Sequence, residues 1–110
     1  MSLITVHDIL DIYERTGLKP SIGYRDYSIN DSGITRGCVV TAIYCDENKD
    51  DSFDPDTRNM LRYCYNKFGE LKSDSLEAGF CGWAYMKSYD KEYYDIGKKA
   101  ADILFNKNGE

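Results

Sequence analysis

The chain has 110 residues, a length that predicts one domain with a single hydrophobic core. Hydrophobic residues make up 42% of it and charged residues 30%, a balance typical of globular rather than disordered proteins. The net charge of -5 argues against direct nucleic-acid binding, and no apolar run approaches the ~20 residues of a membrane span. Because Asp8 stands where a secretion signal would carry a basic residue, we expect no leader peptide and a cytoplasmic location.

The first predicted element is a helix over residues 5–16. Thr5 and Asp8 have the spacing of a capping box, and apolar residues recur after them at helical intervals. Gly17 follows as a typical C-terminal stop, so both ends of this helix are marked in the sequence.

Residues 17–37 are rich in turn-forming residues. Apolar residues alternate with others at two places, namely Ile22 and Tyr24, and Tyr27 and Ile29. Since such alternation is typical of short strands, we expect at most one small β-hairpin near residues 21–29.

Residues 38–45 are apolar apart from Thr41, a pattern that suits either a buried strand or a buried helix. Their β-branched residues favour the strand. Asp31 or Ser32 could instead cap a helix that starts near residue 34.

A sparse pattern of residues begins in this segment and continues beyond it: Gly37, Cys38, Thr41, Ala42, Ile43, Gly79, Phe80, Gly82 and Gly97. It resembles a pattern in small bacterial and phage proteins of unknown function, in which the first segment reads as a helix. The resemblance covers the C-terminal two thirds of the chain. It implies a helix at residues 38–45, and it implies no activity and no functional residue.

A further helix is predicted over residues 55–68. Asp54 provides a cap, Pro55 suits the first helical position, and Gly69 follows the last turn. A second follows over residues 74–88.

Ser73 or Asp74 can cap the helix predicted over residues 74–88. A last helix is predicted over residues 90–105, with Asp90 as its cap. Together these elements predict a mainly α fold, with one compact domain of four to five short helices and at most one small β-hairpin near residues 21–29.

The four cysteines lie in apolar stretches without the spacing of a zinc site or a redox motif: Cys38, Cys45, Cys64 and Cys81. We therefore expect free and mostly buried thiols, with no metal and no cofactor. His7 is the only histidine, and nothing places it beside a cysteine, so the sequence does not predict an enzyme.

The excess of acidic residues is concentrated in residues 46–56, whose six acids and one lysine account for the whole net charge of -5. Five of these acids are candidate residues for binding a partner with a basic surface: Asp46, Glu47, Asp50, Asp51 and Asp54. A solvated loop that only caps the next helix is the alternative.

The same segment resembles a degraded calcium loop. Asp46, Asn48 and Asp50 match its oxygen ligands, but Asp51 replaces the turn glycine and Thr57 replaces the bidentate glutamate. We expect calcium to bind weakly or not at all.

Tyrosine is unusually frequent, with ten residues. Tyr85, Tyr89, Tyr93 and Tyr94 crowd one junction between predicted helices, and they are candidates for a partner-binding surface. The alternative is that they belong to the core.

A possible pocket is predicted at Gly79, Gly82, Trp83 and Gly97, where missing side chains could leave room for a ligand. The alternative is that these glycines let the last two helices approach each other closely.

These features favour a non-enzymatic, acidic binding or regulatory protein that acts through protein–protein contacts, for example a phage-borne inhibitor. The alternative function is a module that binds a small molecule or a metal ion such as calcium. Neither nucleic acid nor a membrane is an expected partner.

Overall fold

In the computed structural model, which describes residues 4–21, 27–30, 33–47 and 57–109, five helices pack around one hydrophobic core. They are α1 (Val6–Thr16), α2 (Val39–Glu47), α3 (Thr57–Phe68), α4 (Glu70–Cys81) and α5 (Lys91–Gly109). Three short strands lie between α1 and α2, namely β1 (Lys19–Pro20), β2 (Tyr27–Asn30) and β3 (Gly33–Gly37). The predicted fold class, a mainly helical single domain, is confirmed.

Helix α1 begins and ends where the sequence predicts. The Thr5 hydroxyl accepts the backbone N–H of Asp8 at 3.1 Å, and the Asp8 carboxylate accepts the backbone N–H of Thr5 at 3.0 Å. Gly17 closes the helix in the left-handed region at φ 73°, where a side chain would be strained. Both capping groups predicted for α1 are therefore confirmed.

The strands form one sheet in the order β1-β3-β2, with β1 parallel and β2 antiparallel to β3. The sequence predicts a small hairpin near residues 21–29; the antiparallel pair joins residues 27–30 to 33–37, so only its first strand lies in the predicted range. Tyr27 and Ile29 belong to β2, whereas Ile22 and Tyr24 lie outside the described residues. The second strand, Gly33–Gly37, escaped prediction because Ile34 is its only apolar side chain, so no apolar alternation marks it.

Helix α2 is buried on all sides in its first half, as its uniform apolar sequence requires. The five residues from Val39 to Ile43 are all buried. The helix implied at residues 38–45 is confirmed, but β3 occupies residues 33–37, so neither Asp31 nor Ser32 precedes the helix as its cap.

Helix α4 has different bounds from the predicted helix over residues 74–88. It begins at Glu70 and ends at Cys81, where Gly82 turns the chain at φ 80°. Ser73 is not its cap, because its hydroxyl donates to the carbonyl oxygen of Cys64 at 2.8 Å. Asp74 is not the cap either, since its carboxylate accepts the Tyr65 hydroxyl at 2.8 Å.

The flanking helices agree more closely with the sequence. Helix α3 ends at Phe68, immediately before Gly69, while the predicted cap at Asp54 and Pro55 lies outside the described residues. Helix α5 is capped by Asp90, whose carboxylate accepts the backbone N–H of Tyr93 at 3.0 Å. It continues beyond the predicted end at residue 105, as far as Gly109.

The core lies where α2 and α4 meet the other helices. Tyr13 of α1 stacks on Phe80 of α4 with ring centroids 5.9 Å apart, and its buried hydroxyl donates to the carbonyl oxygen of Gly37 at 2.7 Å. That hydrogen bond joins α1 to the end of β3. None of the helices in the described ranges combines the length and the apolar character needed to cross a membrane.

Candidate functional site

The glycines of α4 and α5 bring these two helices into direct backbone contact. A Cβ atom on Gly79 would collide with the carbonyl oxygen of Tyr94, and one on Gly97 would lie 2.9 Å from the backbone nitrogen of Phe80. The space beside Gly79 and Gly97 is thus filled by the opposite helix. The glycines therefore let the last two helices approach each other closely, which is the alternative that the sequence offered to a ligand pocket.

The chain leaves α4 through Gly82 and exposes a short aromatic segment. The backbone N–H of Trp83 is held by the carbonyl oxygen of Ala78 at 3.0 Å. Trp83 is 37% exposed, Tyr85 43% and Met86 54%. With the half-buried Tyr89, these residues form what we call the aromatic surface.

Tyr94 forms the base of the aromatic surface. Its ring stacks on Tyr89 at 5.8 Å and meets Tyr85 edge to face at 5.1 Å. Its hydroxyl donates to the carbonyl oxygen of Trp83. Tyr94 is buried, and its helix α5 packs on α4 by backbone contact. The rings of Tyr85 and Tyr89 therefore pack against a side chain that is held in place.

Tyr93 is separated from this group. It is 1% exposed and points into the core, where its ring meets the edge of Phe68 at 5.8 Å. Consecutive residues of a helix point in directions about 100° apart, so neighbours in sequence do not share a face. The structure therefore brings together Trp83, Tyr85, Tyr89 and Tyr94 and places Tyr93 elsewhere.

A lysine lies over the aromatic surface. The ammonium of Lys91 is 5.5 Å from the centroid of the Tyr85 ring and also contacts both carboxylate oxygens of Asp95, at 2.8 and 3.1 Å. The hydrogen bond to Asp95 raises the pKa of Lys91, with Coulombic contributions from Tyr85 and Tyr94. The four-residue spacing of Lys91 and Asp95 marks the ion pair in the sequence, but nothing there indicates the ring contact.

Two of the candidate acidic residues are paired within the protein. Asp46 is only 8% exposed in its side chain, and its two oxygens accept Arg15 at 2.8 and 3.1 Å. Glu47 accepts the hydroxyl of Tyr63 and lies 3.2 Å from the ammonium of Lys67. Both carboxylates end α2, where the helix dipole disfavours negative charge and a basic partner offsets it.

The other three candidate acids, Asp50, Asp51 and Asp54, lie outside the described residues, as does most of the degraded calcium loop. Within the described ranges, histidine, cysteine and acidic side chains form no group of three that could hold a metal ion. Asp46, the first ligand position of the loop, already binds Arg15.

The thiols are free, as predicted, and three of the four are buried; Cys45 is half-buried. Burial raises the pKa of Cys64 to about 12 and that of Cys45 to about 11. Glu77, which is 1% exposed, adds a charge that raises the pKa of both Cys38 and Cys64. Nothing in the sequence indicates this buried carboxylate, because acidic residues are common in the first turn of a helix and the predicted helix begins at residue 74.

A cleft of about 380 Å³ lies between the end of α1, β1 and the end of α5. Its wall is about equally polar and apolar: Glu14 and Lys19 contribute charged groups, and the other lining side chains are Leu10, Tyr13, Leu18, Pro20, Ile103 and Leu104. The sequence did not predict it, because its walls come from segments more than 80 residues apart in the chain.

Comparisons of the chain with protein-family models, with curated proteins and with solved structures find no match. The resemblance to small bacterial and phage proteins therefore stays a prediction.

Proposed function

We propose that this protein is a non-enzymatic binding protein that recognises a protein partner through the aromatic surface. The observation that carries the proposal is the exposure of three large apolar side chains within four consecutive residues, Trp83, Tyr85 and Met86, on a segment whose Tyr85 ring and Trp83 carbonyl both contact the buried Tyr94. Only Leu71 and Ile103 are comparably exposed among the other large apolar side chains of the described residues. Clustered exposure of this kind marks interaction sites, whereas scattered exposure is ordinary.

The residue types suit binding at low entropic cost. Tryptophan, tyrosine and methionine are enriched where interfaces are fully buried, because each brings a large contact area. Tyr89 and Tyr85 are held by ring contacts with Tyr94, so less freedom remains to be lost when a partner docks. A surface that is already ordered can hold a partner tightly over a small area.

The acidic segment supplies the long-range part of the proposed recognition. Asp46 and Glu47 are paired with Arg15 and Lys67, so we assign the attraction of a basic partner to the remaining acids, Asp50, Asp51 and Asp54. Their charge acts within a screening length of about 8 Å at physiological salt, which favours encounter more than final affinity.

The chemistry of the thiols supports a non-enzymatic role. Nucleophilic catalysis by cysteine needs the thiolate, which a low pKa provides. Burial moves the pKa of Cys38, Cys45 and Cys64 in the opposite direction. A protein that occupies a partner's surface without transforming it acts as a regulator or inhibitor, which is the role that we assign here.

A second candidate function is binding of a small apolar molecule in the cleft between α1 and α5. Its volume of about 380 Å³ lies at the lower end of the range of ligand sites, and Leu18 and Leu104 provide apolar walls. The two candidates use different surfaces, so substitutions at the aromatic surface separate them.

The test is affinity capture from a lysate of the native host, performed in parallel with three forms of the chain. The wild type and Leu71→Ala, a matched change at an exposed leucine on α4, are expected to capture the same protein. The double variant Trp83→Ala with Tyr85→Ala is expected to lose it, since anchor aromatics each contribute about 2 kcal/mol or more. Equal capture by all three forms would show that the aromatic surface is not the binding site.

A further inference from the structure

The free protein already holds a cation against its aromatic surface. The Lys91 ammonium lies over the face of Tyr85 and between the two oxygens of Asp95. The face of an aromatic ring carries partial negative charge, so a ring beside a carboxylate forms a site of matched chemistry for a cation. The position of Lys91 shows where such a cation is placed.

We propose that Tyr85 and Asp95 form a binding site for the guanidinium group of an arginine presented by the partner, and that Lys91 occupies this site in the free protein. The inference deepens the proposed function and rests on it, because it names the chemical group by which a basic partner is recognised.

The geometry favours arginine over lysine as the incoming residue. Both oxygens of Asp95 accept from the cation at this position, at 2.8 and 3.1 Å, so both are accessible to the two parallel N–H donors of a guanidinium. A guanidinium is also planar and weakly hydrated, so it can stack on Tyr85 while it donates to Asp95. The ammonium of Lys91 reaches both groups, but as a compact point charge it matches the plane of neither the ring nor the carboxylate.

Lys91 is easily displaced. Its side chain is 67% exposed, and its pair with Asp95 spans one turn on the helix surface, where ion pairs are weak because water screens them. Lys91 therefore acts as a competing internal cation: it lowers the apparent affinity for the partner's arginine and leaves the site when a better ligand arrives.

The probe is N-acetylarginine methylamide, titrated into the full chain. Binding is followed through the ring NMR signals of Tyr85 and Tyr89 and through the fluorescence of Trp83, the single tryptophan. We expect a saturable change that strengthens by about twofold to fivefold in Lys91→Ala, the factor that corresponds to an exposed cation–π contact. Lys98→Ala, which removes another exposed lysine of α5, should bind like the wild type.

Two further variants test the residues of the site within the Lys91→Ala background. Tyr85→Leu keeps an apolar side chain but removes the ring, and Asp95→Asn keeps the shape but removes the charge. Each should weaken binding of the arginine probe, and the matching lysine derivative should bind more weakly than arginine throughout. Circular dichroism verifies that the variants are folded.

The proposal is overturned if Lys91→Ala shows no saturable change with the arginine probe. It is equally overturned if Tyr85→Leu and Asp95→Asn leave the binding unaltered. Neither result depends on the capture experiment. A partner that still requires Trp83 and Tyr85 for capture would leave the proposed function standing without an arginine site.

Discussion

At the scale of single residues, burial decides what the side chains of this protein can do. Cys64 lies in the core, and its pKa is raised to about 12, first by burial and then by the neighbouring Cys38 and Glu77. The thiol is therefore a neutral packing group at physiological pH. Tyr85 is the opposite case: its side chain is exposed, so its ring can contact a partner.

The raised pKa of Cys64 predicts how stability depends on pH. The thiol ionises at a higher pH in the folded chain than in the unfolded chain, whose reference pKa is 9.0. Its contribution to stability is fully present below pH 9.0 and is lost as the pH rises toward about 12. The free energy of unfolding, measured with urea, should therefore be lower at about pH 10.5 than at neutral pH.

Cys64→Ala is the control for this prediction. The substitution lowers stability at both pH values, because it removes buried volume, but the loss between the two values should be smaller than in the wild type. An undiminished loss would mean that Cys64 does not contribute to the alkaline transition.

At the scale of secondary structure, elements with local end signals could be predicted and those with tertiary signals could not. The capping box at Thr5 and the cap at Asp90 act within one turn, so both appear in the sequence and in the structure. The start of α4 could not be predicted, because Ser73, a predicted cap, donates its hydroxyl to the carbonyl oxygen of Cys64 in α3 instead. Its end at Gly82 lies inside the predicted helix over residues 74–88, because Gly82 turns the chain in the left-handed region at φ 80°.

The candidate site was likewise only partly predictable from the sequence. The crowding of tyrosines at the junction was visible in the sequence, but which of them share a surface depends on where α4 stops. Because the chain leaves the helix at Gly82, Trp83 and Tyr85 lie on an irregular segment and are exposed, while Tyr93 turns into the core. The pairing of Asp46 with Arg15 joins residues 31 apart, a separation at which sequence spacing is uninformative.

The packing of α4 on α5 gives a prediction whose sign is opposite to that of helix propensity. Alanine is favoured over glycine in a helix by about 1 kcal/mol. Gly97→Ala should nevertheless lower the free energy of unfolding by roughly 1–3 kcal/mol, because the added methyl group meets the backbone of α4. Denaturant unfolding measures the change.

Lys99→Ala provides the control, since it alters an exposed position of the same helix and should leave stability within about 0.5 kcal/mol of the wild type. The fluorescence of Trp83 should also change in Gly97→Ala, because α5 carries the Tyr94 base of the aromatic surface. A more stable Gly97→Ala variant would show that the helices can separate without cost.

At the scale of the whole molecule, charge and contact area are carried by different parts of the chain. The net charge of -5 resides in residues 46–56, whereas the exposed aromatics follow α4. Since charge outside an interface changes association more than dissociation, and buried anchors do the reverse, the two parts should separate in kinetic measurements.

Once a partner has been identified by capture, the double variant Asp50→Asn with Asp51→Asn should associate more slowly than the wild type and show a flatter dependence on salt. Tyr85→Ala should keep the association rate and dissociate faster, by a factor of about 30 or more if its ring is an anchor worth about 2 kcal/mol. Surface plasmon resonance at two salt concentrations resolves both rates.

Leu71→Ala should change neither rate, because Leu71 is exposed on α4 outside the aromatic surface. If the aspartate variant instead alters only dissociation, residues 50 and 51 lie within the interface and make contact there, and the division between steering and anchoring is wrong.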